Sequence, residues 1–476
     1  MALWWGMGKK HFSSQQRGCA STPPQHHLND NHTTTELGTE LPLLLCDPSI
    51  FTSPHIYDNI AHYIDYTKSP NMSLFQYFIP DRSNTPLIVA LTASITTITL
   101  ILLNRILYPP LPKLLRSPLK TVLPTLPKDE LEKLEYKPDT FPGARDVETP
   151  YGSIRVYEFG PVGAAKVLLV HGISTPCTTL TKLALSLANH PSRPSRVMLF
   201  DLFGRGYSDN PADLPHDARL YVTQILIALA SSPLPWTGSD NSFNLIGYSL
   251  GGAIATHFAV SFPHLVKDLV LLAPAGMIRP ASFGTLTRKV FTSGVLPRAF
   301  LHLATRRRLR RPIRSSTKKG KATAKLHAKE QLQQDPASKF VEAETADDVD
   351  GNGEPRTGLE RKVLRQVQQQ LVLHEGFVDA FMACLKDAPL MGQEGAYEKL
   401  ALRGGEKGKK TVIILGRDDE LVNPGEYEED LKPLLQEGNV VWKVVKGGHD
   451  FPMTWAEEVL EVVYEVWSSK TTFGNH

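Results

Sequence analysis

Six short apolar runs constrain this chain more than any other feature. They are Val167–Val170, Val197–Phe200, Phe243–Gly247, Val266–Leu272, Thr411–Leu415 and Val440–Val445. Each is strand length, and the first three are followed by stretches with helical spacing, at Thr178–Asn189, His216–Ser231 and Leu250–Phe262. Continuous apolar strands alternating with helices need helices on both faces to cover them, which predicts an α/β fold with a mostly parallel sheet. Two further short strands, joined at Tyr151-Gly152, are expected within Asp146–Phe159. An amphipathic helix from Thr454 to about Trp467 closes the chain.

With 476 residues, the chain is long enough for one large domain plus appendages. Lysine and arginine (52) nearly balance aspartate and glutamate (49), so the whole protein does not point to a nucleic-acid partner. Cys19, Cys46, Cys177 and Cys384 lie far apart, with neither metal-ligand spacing nor a disulfide framework. No metal and no organic cofactor is implied.

Outside the α/β pattern the chain changes character several times. Residues 1–85 are rich in His, Asn, Thr, Ser and Pro without periodicity and read as a disordered tail. Leu87–Leu103 carries no charge, and with its flanks it predicts a transmembrane anchor over 86–108. Seventeen residues span about 25 Å as a helix, and Ile106, Leu107 and Tyr108 extend it if Arg105 snorkels. Arg105, Lys113, Arg116 and Lys120 follow the run, so the positive-inside rule puts the C-terminal part in the cytoplasm as a single-pass protein. Both N-x-[ST] sequons, Asn31 and Asn71, precede the run, in keeping with that orientation.

A proline-rich linker is expected at 109–145, lying along the membrane surface. The α/β core then divides into 146–278 and 403–476, with a helical cap at 279–402 between them. Within the cap, 306–360 reads as a disordered charged insert. Arg306–Lys329 holds eleven basic residues and no acidic one, a composition suited to anionic lipid headgroups. The following acidic piece, Asp347-Asp348-Val349-Asp350, lacks the spacing of a calcium loop.

The chemistry is expected at Gly247-Tyr248-Ser249-Leu250-Gly251, where an apolar strand meets a helix. Glycines at 247 and 251 allow a turn too tight for side chains, which would force Ser249 into a strained, exposed position, a nucleophile elbow. A neutral serine needs a base, and that base needs a carboxylate to set its tautomer. His449 follows the last strand after Gly447-Gly448, and the adjacent pair Asp418 and Asp419 follows the strand before it. The order Ser…Asp…His is that of the α/β-hydrolase fold.

The motifs V-L-L-V-H-G-I, D-L-F-G-R-G-Y-S-D, G-Y-S-L-G-G, L-A-P-A-G, I-L-G-R-D-D-E-L-V and G-G-H-D-F-P together resemble that superfamily over roughly 146–468. The resemblance is to the branch with a cap between the sixth and seventh strands, and to membrane-anchored members similar to monoacylglycerol lipases. It implies Ser249 as nucleophile and His449 as general base and then acid. The family pattern G-x-x-D-x-x-V selects Asp419 as the acid, running from Gly416 to Val422, and leaves Asp418 a solvated neighbour. The backbone N–H groups of Ile173 and Leu250 are the implied oxyanion donors. His171 is read as shaping its loop, and Asp201, Gly204, Gly206 and Ser208 as turn formers.

The activity so implied is hydrolysis of carboxylic esters, lipid-like and of monoacylglycerol type, by a membrane-anchored serine hydrolase. Epoxide hydrolases and haloalkane dehalogenases share the cap branch but use an aspartate nucleophile, which Ser249 argues against. Carbon–carbon or amide bond hydrolysis on the same triad, and a scaffold kept for binding, stay open at this point.

Overall fold

The computed structural model describes residues 85–110, 112–238, 241–280, 296–310, 356–403, 409–435 and 440–468. The tail at 1–84, both sequons and the heart of the charged insert at 311–355 lie outside the described residues. The chain divides into two units, Met1–Val89 and Ala90–His476. Of the first, only Thr85–Val89 is described, and it opens a helix.

That helix, α1 (Thr85–Leu107), has 23 residues, none of them buried. It is long and apolar enough to cross a membrane. At 1.5 Å per residue it measures about 34 Å, more than the uncharged run alone provides. Pro86 sits in its first turn and Pro109-Pro110 follows it, so proline punctuates both ends. Within it the Thr97 hydroxyl donates to the Ala93 carbonyl at 2.8 Å, a partner one turn back that does not depend on water.

The body is an eight-stranded sheet: β1 (Ala144–Val147), β2 (Ile154–Phe159), β3 (Ala165–Val170), β4 (Ser195–Phe200), β5 (Phe243–Tyr248), β6 (Val266–Leu272), β7 (Lys410–Gly416) and β8 (Val440–Val445). Its order is β1-β2-β4-β3-β5-β6-β7-β8. β1–β2 and β2–β4 pair antiparallel, and every pairing from β4 to β8 is parallel. The six apolar runs form the parallel part. Their side chains are almost wholly buried in β3 to β7, because both faces are covered.

A short α2 (Lys128–Glu132) precedes the sheet. The helices of the body are α3 (Thr181–Ala188), α4 (Ala218–Ala230), α5 (Leu250–Ser261), α9 (Glu394–Arg403), α10 (Pro424–Asp430), α11 (Phe451–Thr454) and α12 (Ala456–Ser468). The chain steps from β3 to β4 in one direction and from β4 through β5 to β6 in the other. Right-handed crossovers therefore put α3 on one face and α4 and α5 on the other. Accordingly α11 and α12 pack with α3, while α4 and α9 pack with α5. Between β6 and β7 lie α6 (Arg298–Leu309), α7 (Arg356–Leu373) and α8 (Phe377–Asp387), which pack on one another.

Two differences from the sequence reading have clear causes. Residues 112–143, within the stretch expected as a linker at 109–145, pack onto the body. Leu123, Tyr136 and Phe141 are buried, and Leu115 exchanges backbone bonds of 2.9 and 2.8 Å with Asn210. The prolines there shape turns, while the apolar residues between them cover the outer strands. The second difference is at the ends of the charged insert, where Arg306–Leu309 finishes α6 and Arg356 begins α7.

Candidate active site

Every parallel strand points its C-terminal end at the same edge of the sheet, and the loops there hold the chemistry-bearing residues. At the end of β5, Ser249 has φ 54° and ψ −119°, a conformation that L-residues rarely adopt. Its neighbours make that turn possible. A Cβ on Gly247 would sit 2.4 Å from the Gly251 carbonyl oxygen, and one on Gly251 only 2.2 Å from that of Val170. The strained residue is tied at both backbone groups: its N–H donates to Leu272 at 3.0 Å, and its carbonyl accepts from Ala275 at 2.9 Å.

Ser249, Asp419 and His449 come together at this edge. Ser249 Oγ lies 2.9 Å from His449 Nε2, and His449 Nδ1 lies 2.7 Å from Asp419 Oδ2. The second carboxylate oxygen, Oδ1, accepts the backbone N–H groups of Leu421 at 2.9 Å and Val422 at 2.8 Å. Those two donors fix the carboxylate plane and leave Oδ2 for the imidazole. With Nδ1–H donating to Asp419, Nε2 keeps its lone pair for the serine proton. Asp418 is exposed, and its backbone N–H is bonded to Gly447. All three residues of the line are only 1% exposed.

Of the two expected oxyanion donors, Leu250 follows Ser249 directly and Ile173 lies in the loop after β3. Leu250 is the first residue of α5, where the helix dipole is positive. Ile173 follows β3 in the loop touching Gly251. Among the described residues neither N–H is bonded to a protein acceptor. His171 shapes this loop. Its Nδ1 donates to the Gly172 carbonyl at 2.8 Å and its Nε2 accepts the Leu202 N–H at 2.8 Å. Burial, aided by the charge of Arg205, pushes its pKa down to about 3, so the ring is neutral and its tautomer fixed. The Gly172–Ile173 peptide that presents the N–H is thereby held by its own carbonyl.

The loop after β4 is built around Asp201, which accepts from Tyr136 Oη at 2.8 Å and from the N–H groups of Cys177 at 3.0 Å and Tyr207 at 2.9 Å. Burial raises its pKa against these bonds. Gly206 has φ 52°, and a Cβ there would lie 2.1 Å from Asp201 Oδ2. Sequence reasoning missed three kinds of supporting residue. Tyr427 Oη donates to Pro274 at 2.6 Å and Tyr397 Oη to Ala275 at 2.7 Å, bracing the turn that holds Ser249. Arg205, in the loop after β4, and Gln370, on α7, are buried. A tyrosine, an arginine among glycines or a glutamine in a polar helix gives no local signal of such a role.

A profile of the alpha/beta hydrolase fold matches residues 166–454. The chain belongs to this family. Lipase LipV of Mycobacterium tuberculosis is 34% identical to this chain over 122 residues, 26% of this chain and 42% of the relative. The 2-hydroxy-6-oxo-2,4-heptadienoate hydrolase of Pseudomonas putida is 32% identical over 117 residues, 24% of this chain and 40% of the relative. The chain thus spans about two fifths of the length of these curated relatives. Among solved structures, naproxen esterase of Bacillus subtilis aligns with TM-score 0.45 and 17% identity, covering 69% of this chain and 93% of that one.

Proposed function

We propose that this hydrolase is a membrane-anchored serine esterase acting on lipid-like carboxylic esters of monoacylglycerol type. The observation that carries the reading is the bonded line Ser249–His449–Asp419, at 2.9 and 2.7 Å, ending on a strained serine. Ser249 Oγ attacks the acyl carbon while His449 Nε2 takes its proton. The oxyanion meets the N–H groups of Ile173 and Leu250, and Asp419 stabilises the imidazolium. The carbonyl re-forms, the alcohol leaves with the proton from His449, and an acyl-Ser249 ester is left. Water, deprotonated by His449, attacks that ester; the acid departs and Ser249 recovers its proton.

The lipid part of the reading is supported by α1 and by relatives with lipase names. One is LipV, and another is the (lyso)-N-acylphosphatidylethanolamine lipase of Bos taurus, 34% identical over 122 residues, 24% of this chain and 32% of the relative. In this reading α1 crosses the bilayer once, with the positive flank and the catalytic body on the cytoplasmic side. The core pieces 146–278 and 403–476 carry the triad, the cap is the part of 279–402 before α9, which packs on the body, and the basic run 306–329 meets anionic headgroups. Arg307 and Arg310, at its start, are exposed. With the triad buried, this reading has the cap move for substrate to enter.

The test uses detergent-solubilised protein, wild type beside Ser249→Ala, with a fluorophosphonate probe and p-nitrophenyl esters of graded chain length. Labelling lost in the variant, with preference for medium or long chains, supports the proposal. Labelling without ester turnover favours a second reading, which the similarity to the Pseudomonas putida enzyme suggests: the same triad acting on a 2-hydroxy-6-oxo-dienoate and breaking a carbon–carbon bond. No labelling removes both.

A further inference from the structure

The loop that carries the Ile173 N–H has three successive peptide carbonyls, and each is held by a different side chain. Gly172 accepts from His171 Nδ1 at 2.8 Å, Ile173 from Arg205 Nε at 2.9 Å, and Ser174 from Gln370 Nε2 at 3.0 Å. Only the first of these side chains lies within the loop. The other two lead to the cap.

Arg205 is 0% exposed. It also bonds to the Phe203 carbonyl at 3.1 Å and to Cys384 Sγ, on α8, at 3.3 Å, and pairs with the Tyr221 side chain. Among the described residues it forms no ion pair with a carboxylate. A buried guanidinium placed this way keeps its charge, so each carbonyl it touches is gripped by a charge-assisted bond. Gln370 stands on α7 and is 4% exposed. Its amide donates to Ser174 and accepts the Gly206 N–H at 3.0 Å, which stitches the loop after β3 to the loop after β4. Its neighbours fasten the same helix. Gln369 takes the Tyr136 N–H at 3.0 Å and donates to its carbonyl at 2.8 Å, and His374 Nε2 lies 2.8 Å from the Ser208 carbonyl.

We infer that Arg205 and Gln370 are positioning residues that couple the Ile173 oxyanion donor to the docked cap, with Cys384 completing the link from α8. The inference rests on the serine-hydrolase reading above. Two consequences follow from the geometry. A cap displacement that admits substrate to the buried Ser249 pulls on the carbonyls of residues 173 and 174, so the donor is set only when the cap returns. Interactions used in the transition state but not in ground-state binding appear in kcat and leave KM alone.

The experiment takes the full chain in detergent and measures kcat and KM on p-nitrophenyl butyrate. It also measures Ki for a trifluoromethyl ketone, whose tetrahedral adduct places an oxyanion in the hole. Wild type is compared with Gln370→Met, Gln370→Glu, Arg205→Met and Cys384→Ala, each checked for cooperative thermal unfolding. Gln370→Met is expected to lower kcat about 10- to 100-fold, with KM within about twofold and Ki raised by the same factor as kcat falls. Gln370→Glu still accepts from Gly206 but cannot donate to Ser174, and it is expected to fall with Gln370→Met. Arg205→Met loses at least as much, and Cys384→Ala less. A folded Gln370→Met that keeps kcat within about twofold overturns the inference, as does a loss of kcat that Ki does not follow. If Arg205→Met does not fold, the Gln370 pair decides alone. Failure of the underlying reading shows separately, as wild-type turnover and labelling that persist in Ser249→Ala, and it takes the inference with it.

Discussion

His449 and His171 occupy similar places and have opposite chemistry. Each follows a parallel strand at the same edge of the sheet, and they are 1% and 0% exposed. Each uses both ring nitrogens. The difference lies in what faces Nδ1: a carboxylate at 2.7 Å for His449 and a peptide carbonyl at 2.8 Å for His171. A carboxylate can stabilise the imidazolium that proton uptake creates; a carbonyl dipole in a dry site near Arg205 cannot. His216 and His374 repeat the second pattern. His216 lies between Tyr221 Oη and Asn210 Oδ1, and burial followed by the Arg205 charge pushes it down to about 3. His374 bonds to the Ser208 carbonyl and is pushed down to about 4, mainly by burial. Burial alone therefore does not set His449 apart from the other three histidines; the charge of its partner does.

The sharpest way to break this contrast is at the triad. Ser249→Ala is expected to lower kcat by about 10⁴-fold or more and to abolish fluorophosphonate labelling. Asp419→Asn gives His449 a neutral partner like that of His171, and a fall of about 10⁴-fold in kcat is expected with near-normal thermal stability. A small effect in steady-state assays of the Asp419 variant would move the acid elsewhere.

The pH dependence of stability tests the other side of the comparison. His171, His216 and His374 have folded pKa values of about 3, 3 and 4, below their unfolded value of 6.5. Below pH 6.5 the unfolded chain takes up protons that the folded chain refuses. Stability is therefore lost as pH falls below 6.5, and the loss continues to about pH 4 for His374 and about pH 3 for His171 and His216. Each histidine contributes a slope of up to about 1.4 kcal/mol per pH unit in that window. Urea denaturation at pH 7, 6 and 5 checks this, and His216→Gln should flatten the slope.

A smaller effect is expected where the two histidine neighbourhoods touch. Gly251 packs against the carbonyls of Val170 and His171, so Gly251→Ala must part α5 from the loop before Ile173. A stability loss of about 1–3 kcal/mol is expected in thermal melts, together with slower turnover. The smallest effect belongs to Asp418→Ala. Exposure keeps that carboxylate in water, and ester hydrolysis should stay within about twofold of wild type.

Much of this was readable from local pattern. Apolar runs, glycine spacing around Ser249 and the uncharged stretch in α1 are features of neighbouring residues, and strand period, helix period and turn sterics act over the same short range. They determined the parallel sheet, the strained serine, the Ser…Asp…His order and a helix long enough to span a bilayer. Tertiary structure decided the rest. Residues 112–143 became part of the body because outer strands needed covering, which their prolines did not reveal. Asp419 was chosen over Asp418 in the folded state by the Leu421 and Val422 N–H groups and by a histidine 30 residues away. Arg205 meets Cys384 across 179 positions, and Gln370 meets Gly206 across 164. A buried charge or amide must be satisfied by whatever the fold brings within 3 Å or so, and no local rule names that partner in advance.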